Sequence, residues 1–425
     1  MTKTISLCVS AVASNQGKTI LTTALLHYFK SSVRPYKIGP DFIDPQFHTK
    51  VCDTKSVNLD SFIMNEAQVQ WIYNQYNTKK ASILEGVMGF YDGDNKGCSA
   101  YSVTKLLQIP TILILDASGS YITISAVLKG LKEYKKDNTI KAIVLNKVSS
   151  VVHYELIRKQ IQKDHNDIIV LGWIGKNLVS LKDTHLGLDL DDIEQIETIS
   201  KDILEHIDMK LLKQTFTTKK KKITLKYPFN KINKINKTLA IVTDKNFSFL
   251  YHDNLKFLKE VFKKVIIVNS TKNEAIPTSI DSIYICGGYI ETDESYNRVK
   301  NSKSFKNSLI KHSKKGTKIY AECAGLLYLS NGVDDKKMSG LLDVNFTLGA
   351  RFNRLGYYYN KDNIKGHCFH YTKPTNLKKS FDTLSKLPNG KGIFGSWIND
   401  KQNICGTYLH TMFRNNTILI KQFLS

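Results

Sequence analysis

Three groups of residues carry side chains whose types and spacing could do chemistry. The first lies in SAVASNQGKTILTTALL, residues 10–26, where Gly17, Lys18 and Thr19 join a hydrophobic run to a helical one. Backbone N–H groups at such a helix start can surround phosphate oxygens, and the helix dipole adds to the attraction. Lys18 would neutralise the β- and γ-phosphates of a nucleotide, and Thr19 would ligate Mg²⁺. The glycine that usually leads this loop is absent, because position 12 is Val12; Ala11, Ala13 and Ser14 are small enough to let the backbone approach. The second group is acidic. GPDFIDPQFH (39–48) and EGVMGFYDGD (85–94) place Asp41, Asp44 and Glu85 just after strand-like runs, where parallel sheets bind ligands. These three are candidate Mg²⁺ or substrate contacts, with Asp41 and Asp44 held in a stiff loop between Gly39-Pro40 and Pro45. Asp116, also at a strand end, reads as a turn former. The third group is nucleophilic. TKIYAECAGLLYL puts Cys323 on a sharp strand-to-helix turn, where the helix N-terminus is expected to lower the thiol pKa. CGGY (286–289) ends another strand with paired glycines whose N–H groups could hold an oxyanion, and ICGTYLHTMF offers His410 as a base.

The elements that must position these residues are legible as alternation. ISLCVSAVA, PYKIG, ASILEGV, TILILDA, KAIVLNKV and IIVLGWIG are short apolar runs, and amphipathic stretches such as KTILTTALLHYFK separate most of them. That pattern predicts an α/β fold, a mainly parallel sheet covered by helices on both faces, over residues 1–212. The stretch 213–236, which includes TTKKKKITLK, lacks periodicity and reads as a basic linker. A second, smaller α/β domain follows over 237–425, with strands in KTLAIVTDK, VIIVNS, SIYICGGY and TKIYAECA.

Composition narrows the class. With 425 residues, 42% hydrophobic, the chain is long enough for two or three packed domains. Lys plus Arg number 61 against 38 Asp plus Glu, a balance of +23. A nucleic-acid binder would gather that charge on one face and an enzyme for polyanions would focus it in clefts. Here the basic residues are dispersed along the chain, as biased composition would give. Seven cysteines with no C-x-x-C pair suggest neither a disulfide framework nor a zinc cluster, and read as reduced thiols in a cytoplasmic protein. No stretch approaches the roughly 20 apolar residues of a membrane span. Neither a membrane nor a nucleic acid is expected as a partner.

Taken together, the motifs identify a family. The chain resembles cobyrinate a,c-diamide synthase, an ATP-dependent glutamine amidotransferase of corrin (cobalamin) biosynthesis. The likeness runs through ASNQGKT, PYKIGPDFIDPQFH, NLDSFIM, EGVMGFYDG, VLNKV, HLGL, FSFLYHDNL, ICGGYIE, AECAGLLYL, GHCFHYT and GTYLHTMF. It implies a first domain similar to dethiobiotin synthase and a second similar to class I glutamine amidotransferases. It further implies that Cys323 attacks glutamine with His410 as proton carrier, while N–H groups near Gly288 and Ala324 hold the oxyanion. Ammonia would then attack an acyl phosphate that ATP forms on a carboxylate of the tetrapyrrole. On the same resemblance Gly17, Lys18 and Thr19 bind ATP, Asn146 contacts adenine, and Lys37 faces phosphate or the reacting carboxylate. Thr19 and Glu85 hold Mg²⁺, and Asp41 and Asp44 lie by the macrocycle. Departures are specific: Ala11 and Asn15 stand where relatives commonly carry Gly, and Cys368 where they usually carry Glu, which leaves a third member of the Cys–His pair unassigned. GTYLHTMF is nearer to cobyric acid synthase than to the ASYLH-type ending. Cobyric acid synthase, the nickel-sirohydrochlorin a,c-diamide synthase and a DNA-partition ATPase are the alternative readings.

Overall fold

The computed structural model describes residues 3–176, 183–184, 187–188, 193–219, 224–375 and 380–425. The chain divides into two compact units, Met1–Pro228 and Phe229–Ser425. In the first, strands β1 (Lys3–Ala11), β2 (Val33–Ile38), β3 (Val57–Leu59), β4 (Ala81–Glu85), β5 (Thr111–Asp116), β6 (Ile140–Val148) and β7 (Ile169–Gly175) form a parallel sheet in the order β3-β2-β4-β1-β5-β6-β7. These strands read as continuous apolar runs because both faces are covered, and Leu7, Val9, Ile83, Ile112, Ile114 and Val144 are fully buried. The helices are α1 (Lys18–Phe29), α2 (Ile43–Cys52), α3 (Glu66–Tyr76), α4 (Ala100–Leu107), α5 (Ile122–Tyr134), α6 (Val151–Asp164), α7 (Ile193–Glu205) and α8 (Met209–Phe216). A two-residue pair, β8 (Asp183–Thr184) with β9 (Gly187–Leu188), takes up the second half of the HLGL motif; His185 and Leu186 lie outside the described residues.

The stretch read as a linker begins differently. Its first residues finish α8, and β10 (Thr217–Lys219) pairs antiparallel with Lys3–Ile5 of β1. Phe216 is fully buried and anchors this return to the sheet, a single hydrophobe that the surrounding polar run masked. Residues 220–223 lie outside the described residues.

The second unit carries β11 (Ile235–Val242), α9 (His252–Val261), β12 (Phe262–Val268), β13 (Ser282–Ile285), α10 (Asp293–Val299), α11 (Lys303–Lys315), β14 (Lys318–Glu322) and α12 (Ala324–Leu329). Short strands follow: β15 (Gly332–Val333), β16 (Lys336–Lys337), β17 (Asn345–Leu348), β18 (Arg354–Tyr359), β19 (Lys365–His370), β20 (Thr372–Pro374), β21 (Ser380–Leu384), β22 (Ile393–Ile398) and β23 (Ile404–Thr407), before α13 (Thr417–Phe423). The main sheet runs β12-β11-β13-β14-β23-β22-β21, parallel from β12 to β23 and antiparallel beyond. Both units are thus α/β, as the alternation predicts, while the antiparallel pieces between 332 and 398 went unread. No helix among the described residues is long and apolar enough to cross a membrane. All seven cysteines are buried and none forms a disulfide.

Candidate functional site

The phosphate loop hangs between β1 and α1 at the carboxyl end of the first sheet. Gly17 caps α1 in the left-handed region, φ 95°, and a Cβ there would lie 2.6 Å from Asn146 Nδ2. Asn15 is also left-handed, φ 59°. Asn tolerates that conformation better than other non-glycine residues, so the substitution for glycine keeps the loop's shape. Lys18 Nζ donates to the Ala13 carbonyl at 2.8 Å, curling the side chain back over its own loop. Burial, then the neighbouring Lys37, pull its ammonium below the usual lysine range. Asn146, at the end of β6, donates to the Gln16 carbonyl at 2.9 Å, which ties that strand end to the loop.

The acidic residues converge beside this loop. Lys37 and Glu85 are register partners on the adjacent strands β2 and β4, so their side chains leave the sheet together. Lys37 Nζ lies 3.0 Å from Glu85 Oε1 and 3.6 Å from Asp41 Oδ2, and pairs closely with Asp44. Thr19 Oγ1 donates to the same Glu85 oxygen at 2.9 Å. Burial would raise the Glu85 carboxyl, but Lys37 and His48 outweigh it and hold it well below the carboxylate range. Burial opposes the Lys37 charge too, yet Asp44, Glu85 and Asp41 push its ammonium upward. Asp44 goes the other way from Glu85, raised by burial beyond what Lys37 offsets.

One sequence expectation changes here. Asp44 sits in the first turn of α2 rather than in a loop, and Asp41 commits Oδ1 to the N–H groups of Ile43 and Asp44 at 2.7 and 3.3 Å, as a helix-start acceptor. Lys37, expected to face phosphate or the reacting carboxylate, is only 2% exposed and engaged by three carboxylates. His48 was not singled out. It is fully buried, with Nε2 2.7 Å from Glu85 Oε2, and only its place at the end of GPDFIDPQFH hinted at it.

Among the described residues no three His, Cys, Asp or Glu side chains form a metal cluster. Thr19 and Glu85 nevertheless fit Mg²⁺. Both offer hard oxygen donors, and their 2.9 Å separation matches two adjacent corners of an octahedron with bonds of about 2.0–2.1 Å. Such a site needs phosphate oxygens or water to complete it.

In the second unit Cys323 leaves β14 with φ 44° and ψ −103°, a sparsely populated conformation for any side chain but glycine. Its N–H donates to the Thr407 carbonyl at 2.7 Å, anchoring the turn to β23. The N–H groups of Ala324 and Gly288 both point at the sulfur, which brings together the two expected oxyanion donors. The thiol itself departs from expectation. Burial, followed by Glu291 and Cys368, pushes it well above its ordinary range, because six-residue α12 and two N–H groups cannot offset a site 3% exposed.

The glycine pair links the surroundings of His410 to those of Cys323. A Cβ at Gly287 would lie 2.2 Å from His410 Cε1, so the imidazole rests directly on that glycine, while the next residue, Gly288, faces Cys323. At Gly288, φ 147° and a Cβ 2.0 Å from the Asn246 carbonyl exclude a side chain. His410 is bound through its backbone to His367 at 2.8 and 2.9 Å, and its Nδ1 lies 3.2 Å from Glu322 Oε2. Glu322 lies within AECAGLLYL, where no local pattern marks it as a partner of His410. Cys368 is fully buried on β19 and adds to the upward push on the Cys323 thiol.

Comparison with known proteins finds relatives whose likeness spans both units. The CobB/CobQ-like glutamine amidotransferase domain matches residues 238–418. Cobyrinate a,c-diamide synthase of Fusobacterium nucleatum subsp. nucleatum is 34% identical, over 95% of this chain and 96% of its own. The enzymes of that name from Methanococcus maripaludis and Saccharolobus solfataricus are each 32% identical, over 95% and 96% of this chain and 95% and 97% of theirs.

Proposed function

The chain belongs to the cobyrinate a,c-diamide synthase family, and from that membership we propose that it amidates the a and c carboxylates of a cobyrinate-type tetrapyrrole with ammonia from L-glutamine, at the expense of ATP. Cys323, as thiolate, attacks the amide carbon of glutamine. His410 takes the thiol proton and passes it to the departing ammonia, while the N–H groups of Gly288 and Ala324 stabilise the oxyanion. Water then hydrolyses the thioester to glutamate. In the first unit an oxygen of the macrocycle carboxylate attacks the γ-phosphorus of ATP and ADP leaves. Ammonia attacks the acyl carbon of the resulting acyl phosphate, and phosphate leaves with the C–O bond electrons. Activation is needed because a carboxylate is a poor electrophile and hydroxide a poor leaving group.

Within this scheme Lys18 neutralises the transferring phosphoryl group, and Gly17 and Thr19 present the loop to the nucleotide. Asn146 contacts adenine, a role its hydrogen bond to Gln16 supports by keeping it at the loop. Thr19 and Glu85 would hold Mg²⁺, which neutralises phosphate charge when bound. Asp41 and Asp44 border the macrocycle site, and Lys37 keeps the carboxylates oriented where two anionic substrates meet.

The observation that supports this reading is that the N–H groups of Gly288 and Ala324 act on Cys323 while His410 rests on the adjacent Gly287, in a chain that also bears a phosphate loop set against buried Glu85. The test is mass spectrometry of products from cobyrinate with ATP, Mg²⁺ and glutamine, with nickel sirohydrochlorin as competing macrocycle. Successive mono- and diamide of cobyrinate are expected. Preferential amidation of the nickel macrocycle would reassign the substrate, and ATP turnover driven by DNA instead would discard the reading.

A further inference from the structure

The sequence motifs leave a third member of the Cys–His pair unassigned. A carboxylate nevertheless reaches the imidazole. Glu322 is the last residue of β14 and directly precedes the nucleophile. Its side chain is 2% exposed, and Oε2 lies 3.2 Å from His410 Nδ1 while accepting the Tyr284 hydroxyl at 3.0 Å. Tyr284 belongs to β13, Glu322 to β14 and His410 follows β23, three consecutive strands of the sheet. Oε1 is buried with no hydrogen-bond partner among the described residues.

A buried carboxylate is costly to bury, and one oxygen without a partner adds to that cost. A residue needed only for packing would be better served here by an apolar side chain. What the carboxylate does is select a tautomer: facing an acceptor, Nδ1 carries the hydrogen, and Nε2 keeps the lone pair with which a base removes a proton. We propose that Glu322 is the positioning residue of His410 in the glutaminase, supplied from the position before the nucleophile. The proposal rests on the reading of Cys323 and His410 given above. It places the nucleophile and the residue that orients its base on one strand end, so the strained turn at Cys323 and the direction of the imidazole are set by the same backbone.

The test uses the full chain and glutamate release with ATP, Mg²⁺ and cobyrinate. Glu322→Gln keeps shape but not charge, and its amide can present either a donor or an acceptor to Nδ1. The expected result is a fall of about 100-fold or more in kcat for glutamine, with KM within about threefold and ammonium-dependent synthesis unchanged. Glu322→Asp should recover part of the loss. A purely structural role would instead lower the melting temperature while leaving kcat of the folded fraction intact, and that result overturns the proposal. Should Glu322→Gln not fold, Tyr284→Phe decides: a fall in kcat of about 3- to 10-fold at constant KM supports the role, and unchanged kcat overturns it. Cys323→Ala runs alongside. If that variant still uses glutamine, the glutaminase reading fails. If it does not, while Glu322→Gln works normally, only the positioning role fails.

Discussion

The two candidate sites lie at the carboxyl ends of two parallel sheets and solve opposite electrostatic problems. In the first unit a network of ion pairs stands ready: Lys37 is shared among Asp41, Asp44 and Glu85, and His48 pairs with the other oxygen of Glu85. In the second, the working sulfur is buried, and its surroundings disfavour the thiolate. In the proposed reaction, phosphoryl transfer to a carboxylate would bring together several negative charges, and a site for it needs compensating charge in fixed positions. Glutamine hydrolysis begins with two neutral partners and develops charge only along the path, so a dry pocket with aimed N–H groups suits it. The first site relies on side chains set by strand register, and the second on backbone: the Cys323 turn, the Gly287–Gly288 pair and one histidine clamped to His367.

That contrast can be broken cleanly by one pair of variants, which carry the largest expected effects. Cys323→Ala should abolish glutamine-dependent synthesis, a loss of about 10³-fold or more, and leave synthesis from ammonium salt within about twofold. Lys18→Ala should lower synthesis from either nitrogen source by about 10²- to 10³-fold, because the phosphoryl group loses its neutralising partner. Assays of both variants with both donors would expose any other pattern. Equal loss in Cys323→Ala with glutamine and ammonium would mean that the two chemistries are not separable.

Glu85→Gln comes next, and probes the prearranged charge directly. It leaves Lys37 with a poorer partner in a buried place and removes the acceptor of His48, at a cost of about 3 kcal/mol. Burial alone would raise this carboxyl; Lys37 and His48 hold it below the unfolded value of about 4.3 instead. A depressed folded-state pKa stabilises above the unfolded value and loses that contribution as pH falls through the folded one. The stability gap between native chain and variant should therefore be full at pH 7 and narrow below about pH 4. Urea unfolding at several pH values measures it. A gap that widened on acidification would reverse the assignment of charge.

The same contrast decides what could be read without a structure. Backbone-borne features were legible because they have local signatures. Gly17-Lys18-Thr19 between strand and helix, Cys323 on its turn and the CGGY pair were all placed correctly. Even Asn15 is explained locally, since asparagine tolerates the left-handed φ of 59°. Register-borne features were not. That Lys37 stands opposite Glu85, or that His48 backs it from α2, depends on strand order, which no local pattern reveals. Glu322 was hidden for the same reason, because its partners Tyr284 and His410 lie 38 and 88 positions away. The pKa of Cys323 was misjudged because helix starts are visible in sequence and burial is not. The short strands between 332 and 398 lack any sustained period, and only their mutual pairing defines them.

The smallest expected effects separate Asp41 from Asp44, which the sequence motif presents as equivalent. Asp41 uses Oδ1 as an acceptor at the start of α2 and reaches Lys37 only at 3.6 Å. Asparagine serves nearly as well as aspartate at helix starts, so Asp41→Asn should change stability by no more than about 0.5 kcal/mol. Any loss of amide synthesis in that variant then reports on the macrocycle site rather than on folding. Asp44 instead pairs closely with Lys37, and its carboxyl is raised by burial beyond what that lysine offsets. Asp44→Asn keeps the shape but withdraws one of the three carboxyl groups around the lysine. Synthesis should fall by about 10-fold or more, from glutamine and ammonium alike, and by more than in Asp41→Asn. If two carboxylates react in turn, as proposed, poor positioning should also release singly amidated product. Turnover, product distribution and melting temperature measured on both variants give the answer. Normal turnover and products from Asp44→Asn would make the pair with Lys37 a structural tie, and would leave Lys18, Thr19 and Glu85 as the charged and polar core of the first site.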